Sequence, residues 1–265
     1  MARIIAIANQ KGGVGKTTTC VNLAASLAAM RKRVLLVDLD PQGNASMGSG
    51  VDKYSLKRSV YDVLVEACGV ADAVQDAAEG GFMVLPANGD VTAAEVELIQ
   101  VDGRERRLRA ALGQVQSSYD YILIDCPPSL NLLTLNGLVA ADGVIIAMQC
   151  EYFALEGLSA LLDTIEQVRS SVNVGLEVEG ILRTMYDPRN SLTNAVSSQL
   201  HEHFGEKVYR TVIPRNVRLA EAPSHGVPAM HYDKYSRGSR AYMALAGEMI
   251  RREERLLSSN RGVGV

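Results

Sequence analysis

The residues best suited to chemistry stand together near the start of the chain, where Lys11 to Thr18 read KGGVGKTT. Glycines at 12, 13 and 15 leave the backbone free to turn its amides inward, toward the oxygens of a phosphate chain. Lys16 adds a mobile ammonium for β- and γ-phosphates, and the Thr17 hydroxyl is placed to ligate Mg²⁺. With Val14 and Thr18 this makes a nucleotide-binding loop, and the triphosphate it implies is ATP. The general pattern GxxxxGK[ST] would begin with glycine at position 10. This chain has Gln10 there, followed by a second lysine, Lys11.

Two carboxylates fit the same site. Asp40, in VDLDPQGN, and Asp125, in ILIDCPPS, each end an apolar run, and the carboxyl ends of parallel strands are where open sheets bind ligands. Either could also be an ordinary turn or cap residue. Pro41, Pro127 and Pro128 follow, and proline stops a strand and stiffens the loop after it.

Those residues need a scaffold that places strand ends beside a helix start. The runs at 4–8 (IIAIA), 34–40 (VLLVDLD), 121–125 (YILID) and 143–149 (GVIIAMQ) are continuous rather than alternating, as central parallel strands covered on both faces are. Helical spacing of apolar residues runs over 17–30, 104–112 and 155–168. Alternating strand and helix predicts an α/β fold: one doubly wound, mostly parallel sheet flanked by helices. The domain is expected to span residues 1–257, with 258–265 (SSNRGVGV) as a disordered tail.

Composition narrows the class further. The chain has 265 residues, 47% apolar and 22% charged, enough for one large core. No run reaches the roughly 18 apolar residues of a membrane span, and nothing reads as a signal peptide, so a cytoplasmic protein is expected. Cys20, Cys68, Cys126 and Cys150 are scattered without a CxxC pair and read as reduced, mostly buried small apolar residues. His201, His203, His225 and His231 have no Glu or Cys at metal spacing. The net charge of −3 excludes an all-round basic protein but leaves local patches open. From Gly205 to Arg240, Lys207, Arg210, Arg215, Arg218, Lys234, Arg237 and Arg240 face three acids, an excess of four. Such a run is either a solvated face or a grip on a nucleic-acid backbone.

The KGGVGKT string resembles the deviant Walker A motif of the ParA/MinD class of P-loop ATPases. In addition YDPRNSLT (186–193), VIPRNVRLAEAPSHG (212–226) and YDKYSRGSRAY (232–242) look like stretches of the chromosomal ParA, or Soj, proteins. The resemblance covers the chain from Ile4 to about Arg252, leaving 52–103 and the tail uninformative. It implies a slow, partner-stimulated ATP hydrolase with ATP and Mg²⁺ as cofactors, closing into a sandwich homodimer on ATP. Lys11 would then reach phosphates held by the other subunit. Asp125 would be the Walker B aspartate, holding the Mg²⁺ shell through water, and Asp40 the first-switch aspartate orienting the attacking water, with Asp38 in support. Pro214 and Asn216 would pack on adenine, a reading compatible with a plain helix cap at Asn216. Arg189 and Arg218, helped by Lys234, Arg237 and Arg240, would bind double-stranded DNA nonspecifically. The implied partner is a ParB-type centromere-binding protein, and the implied location is the nucleoid.

Three other readings of a P-loop fit less well. A MinD-like membrane-associated regulator needs an amphipathic C-terminal helix, but the apolar face here is narrow and Glu248, Glu253 and Glu254 disfavour anionic lipid. No stable membrane binding is expected. An iron–sulfur reductase needs paired bridging cysteines, which Cys126 and Cys150 do not match, and a small-molecule kinase has no use for Lys11. Because the first strand starts at residue 3, no helix-turn-helix extension and no operator-specific repression are expected.

Overall fold

The structure, a computed structural model, describes residues 1–77 and 79–261. Eight strands form one sheet: β1 (Arg3–Ala8), β2 (Val34–Asp38), β3 (Gln75–Asp76), β4 (Met83–Leu85), β5 (Tyr121–Asp125), β6 (Gly143–Gln149), β7 (Glu177–Tyr186) and β8 (Val208–Pro214). Their order is β3-β4-β2-β5-β1-β6-β7-β8, and every pairing is parallel except β3 with β4. The chain leaves β1 toward β2 on one side, and after β5 it crosses to β6 on the other. β1 therefore sits at a topological switch point, where its carboxyl end opens a crevice.

Alternation along the strands explains their unbroken apolar character. Ile4 and Ala6 face one way with Leu35, Val37, Ile122 and Ile124, while Ile5 and Ile7 face the other with Leu36, Leu123 and Ile145. Helices Arg107–Gly113, Leu132–Ala140, Ala154–Ser171 and Ser191–Phe204 cover the first face, through Leu108, Leu133, Leu161 and Leu200. Helices Lys16–Ala29 and Arg237–Arg261 cover the second, through Leu23, Leu27, Tyr242, Leu245 and Met249. The apolar face of the C-terminal helix is thus consumed by the core. Glu248 on that helix is itself buried, accepting from the Arg210 and Thr211 amides of edge strand β8, both at 2.9 Å. Among the described residues no helix is long and apolar enough to cross a membrane.

The 52–103 stretch supplies β3, β4 and three short α-helices, Val60–Leu64, Val70–Ala73 and Val91–Glu97, with the two strands extending the sheet beyond β2. Residues 258–261, expected to be disordered, continue the C-terminal helix to Arg261. No glycine or proline interrupts the sequence between Gly247 and Gly262, so nothing in residues 258–261 breaks the helix; the rest of the expected tail, 262–265, lies outside the described residues. The four cysteines are free, with Cys20, Cys126 and Cys150 buried and Cys68 half-buried.

Candidate active site

Between β1 and the helix Lys16–Ala29 the chain turns through Gly13 and Gly15, at φ 74° and 89°. Side chains with a Cβ rarely adopt such angles. A Cβ on Gly12 or Gly13 would meet no atom within 4 Å, so the loop's inner wall is bare backbone. Val14 is buried behind the loop, and its carbonyl accepts from the Thr184 hydroxyl of β7 at 2.7 Å. Asn9 fastens the approach: its amide donates to the Ala147 carbonyl of β6 at 2.8 Å, and its oxygen accepts from the Lys11 amide at 2.9 Å.

The two lysines point to different places. Lys16 is buried, and its ammonium donates to the Lys11 carbonyl at 3.2 Å. Burial lowers its pKa, opposed by the attraction of Asp125, Asp40 and nearby thiols. Lys11 is exposed at the rim, its ammonium paired with the Glu151 carboxylate just past β6.

Asp38 and Asp125 stand in register on neighbouring strands, both fully buried. Asp38 accepts from the Ser46 amide at 2.9 Å and hydroxyl at 2.8 Å and from the Asp40 amide at 3.1 Å. Asp125 accepts a long contact from the Cys20 thiol at 3.5 Å, with the Thr17 hydroxyl close enough to favour its charged form, while its Oδ2 has no close hydrogen-bond partner. Burial pushes both carboxyls above the usual range, Asp125 more strongly; the charge of Asp38 adds to the rise at Asp125, and that of Asp40 adds at Asp38.

Asp40 does not finish a strand. β2 ends at Asp38, and Asp40 lies on the loop beyond, its carbonyl accepting from the Gly43 amide at 2.8 Å and its carboxylate from the Gln42 amide at 2.9 Å. The reason is local: the Asp38 carboxylate takes the Asp40 amide out of the ladder, and Pro41 has none to give. Asp40 remains at the site, half-buried on the wall of a cavity of about 620 Å³.

That cavity collects most of the predicted nucleotide residues. Gly12, Gly13, Gly15, Lys16, Thr17 and Thr18 line it with Asp40 and Pro128. Pro214, Asn216, Met185, Leu219 and Tyr242 line it as well, while Thr184 lies against Gly15. Asn216 holds the N-cap position of the helix Val217–Glu221 but makes no side-chain cap bond, and its buried Oδ1 has no partner. The unpartnered oxygen argues against a simple cap and for a ligand donor. Among the described residues no group of three His, Cys, Asp or Glu side chains could hold a metal ion. A hydroxyl at Thr17 and an orphaned carboxylate oxygen at Asp125 nevertheless suit Mg²⁺, which keeps several waters and takes the rest of its shell from phosphates.

The predicted DNA residues lie at the same edge. Arg189 is exposed and donates through Nε and Nη2 to Asp187 at 2.9 and 2.8 Å; with Arg215 nearby, this holds the Asp187 carboxyl down at about 2. Arg218 pairs with Glu221 at 2.7 Å and Asp233 at 3.4 Å. Lys234 sits 4.9 Å from the Tyr235 ring centroid, and Arg237 and Arg240 are exposed in the first turn of the C-terminal helix. The Arg218–Asp233 pair ties 212–226 to 232–242, and the charge of Arg215 is felt at Asp187. Sequence reasoning missed Glu151, Thr184 and Met185; the sole signal for Glu151 was an acid just after a strand end.

A family described as an AAA domain matches residues 2–178. The sporulation initiation inhibitor protein Soj of Bacillus subtilis is 53% identical over 249 residues, 94% of this chain and 98% of that protein. The chromosome partitioning protein ParA of Caulobacter vibrioides is 53% identical over 253 residues, 95% of each. Among solved structures, the cobyrinic acid a,c-diamide synthase of Mycobacterium smegmatis with bound ADP and magnesium superposes with a TM-score of 0.84. It is 38% identical, and the match covers 96% of both chains.

Proposed function

From the premise that this chain belongs to the ParA/Soj family of chromosome-partitioning ATPases, we propose that it is an ATP-driven switch whose dimer grips DNA. The divergent placement of its two lysines carries the reading. Lys16 turns inside its own phosphate loop, whereas Lys11 stands on the rim, held by Glu151 and directed away from that loop. A rim lysine is positioned to serve phosphates bound by a second copy.

The chain's own groups divide the chemistry of hydrolysis. The bare amides of Gly12 to Gly15 and the Lys16 ammonium bind the β- and γ-phosphates. Asp40 orients the attacking water and accepts its proton as the bond to the γ-phosphorus forms and the β–γ bridge breaks. Thr17 and, through water, Asp125 would hold Mg²⁺, which would neutralise charge on the phosphate oxygens; the neighbour crystallised with ADP and magnesium supports nucleotide and magnesium binding in this fold. Asp38 orders the Asp40 loop through the Asp40 and Ser46 amides. Pro214 and Asn216 hold the base.

In the ATP state the second copy's Lys11 closes the site, and hydrolysis removes the contact it makes. Arg189, Arg218, Lys234, Arg237 and Arg240 grip duplex DNA through phosphates without reading sequence. A ParB-type partner stimulates hydrolysis and release, so the protein works in the cytoplasm on the nucleoid. Retention on random duplex DNA, compared with ATP, with ADP and without nucleotide, tests the reading. ATP alone should support retention; equal retention in all three states would overturn the switch.

A further inference from the structure

Three residues other than glycine have positive φ: Arg31 at 63°, Glu66 at 61° and Met185 at 47°, among the described residues. Arg31 and Glu66 follow the ends of helices Lys16–Ala29 and Val60–Leu64, where a left-handed residue is routine. Met185 is inside a strand. There, Arg183 pairs with Val212 and Tyr186 with Pro214, so β7 advances three residues while β8 advances two. This is a β-bulge with methionine at the left-handed position, a place that usually takes glycine. Such strain is kept where the surroundings hold it, and it clusters at ligand clamps and switches.

The neighbours of Met185 show what its strained backbone joins. Thr184, before it, is tied to the phosphate loop through the Val14 carbonyl. Met185 itself lines the cavity together with Pro214 and Asn216, and its neighbour Tyr186 pairs with Pro214. Tyr186, after it, donates through its hydroxyl to Asn194 at 3.0 Å, and the chain then turns through Asp187 to Arg189. Asn190 accepts from the Leu192 amide at 2.9 Å, capping the helix Ser191–Phe204. Arg189 is therefore suspended between a capped helix and a strained bulge whose side chain faces the nucleotide cavity.

We propose that Met185 is a positioning residue that transmits occupancy of the base end of the cavity to Arg189, so that a bound nucleotide sets the geometry of the DNA surface. The inference rests on the DNA-binding reading of Arg189 above. A base pressed against Met185 fixes the bulge, and the bulge fixes the turn that presents Arg189. The phosphate end of the cavity has no comparable chain path to that turn except through Thr184.

The test compares the unsubstituted full chain with Met185→Gly and Met185→Leu. Each is measured for ATP-dependent dimerisation by sedimentation, for retention on random duplex DNA at moderate salt, and for thermal midpoint. Glycine accepts the left-handed angle freely, so Met185→Gly releases the bulge. Because it also removes the side chain that meets the base, nucleotide affinity is measured for each chain and DNA retention is compared at saturating ATP, with the dimer equally populated. The DNA affinity of Met185→Gly should fall about tenfold, the scale of one mispositioned phosphate contact. Met185→Leu keeps both the strain and the apolar contact and should match the unsubstituted chain. Unchanged DNA affinity in Met185→Gly overturns the inference, and so does loss of its ATP dimer, since Met185 would then serve nucleotide binding alone. Should the unsubstituted chain itself retain no DNA with ATP, the proposed function falls, and this inference with it.

Discussion

The Lys11 ammonium is paired with the Glu151 carboxylate, so the rim lysine is already engaged within its own subunit. Its side chain is 56% exposed and that of Glu151 39%, which makes this a solvent-screened pair. An exposed pair contributes on the order of 0.2–1 kcal/mol, an amount a phosphate on a second copy can outbid. In the proposed ATP dimer, Glu151 would hold Lys11 in reserve, and closure would exchange one anion for another.

Removing that competitor should favour closure. Glu151→Gln breaks two such pairs in a symmetric dimer, so the ATP dimer should form at a protein concentration lower by about twofold to thirtyfold. Sedimentation across a concentration series with ATP reads this directly, and a weaker dimer would mean that Glu151 supports closure instead.

Asp40 stands on a loop rather than a strand, and its position depends on Asp38 taking its amide. Asp40→Ala leaves the Asp38 bonds to Ser46 intact, so nucleotide binding and dimerisation should persist. Hydrolysis should drop roughly a hundredfold or more, the usual contribution of a positioned base. Phosphate release at the unsubstituted rate would remove Asp40 from its assigned role.

The contrast between Asp38 and Asp40 marks how far the sequence could be read. Central strands were legible because both faces are covered, which writes an unbroken apolar run at Tyr121–Asp125 and Gly143–Gln149. The end of β2 was not, because Leu39 is as buried as the strand and only the hydrogen bonds separate it. β7 escaped because Arg183 interrupts its apolar pattern, although the guanidinium is buried and donates to the Ser197 hydroxyl and the Tyr209 carbonyl. The phosphate loop was legible since its chemistry is local. Glu151 and Met185 gain their meaning from partners far along the chain, and neither spacing nor periodicity carries that.

The proposed DNA surface should respond as a set of phosphate contacts. Arg218 is held between Glu221 and Asp233, so it would meet a phosphate with its geometry already set. Arg218→Ala should spare the ATP dimer, weaken retention on all sequences alike, and make the salt dependence shallower by about one phosphate contact. An unchanged slope in a salt titration of filter retention would take Arg218 off the surface.

Stability should depend on pH through Glu248. Burial opposes its charge, but the Arg210 and Thr211 amides and the Arg252 guanidinium outweigh burial and hold the carboxyl below its ordinary value. A folded pKa below the unfolded one means the carboxylate adds stability above the unfolded value, about 4.3, and that this is lost as pH falls through the folded value. Glu248→Ala strands two buried edge-strand amides and should cost about 1–3 kcal/mol at neutral pH. The difference from the unsubstituted chain should shrink in acid, where protonation has already weakened the native contact. Thermal melts of both chains at neutral and acid pH measure it, and a gap that stays constant would show that Glu248 acts by packing rather than by charge.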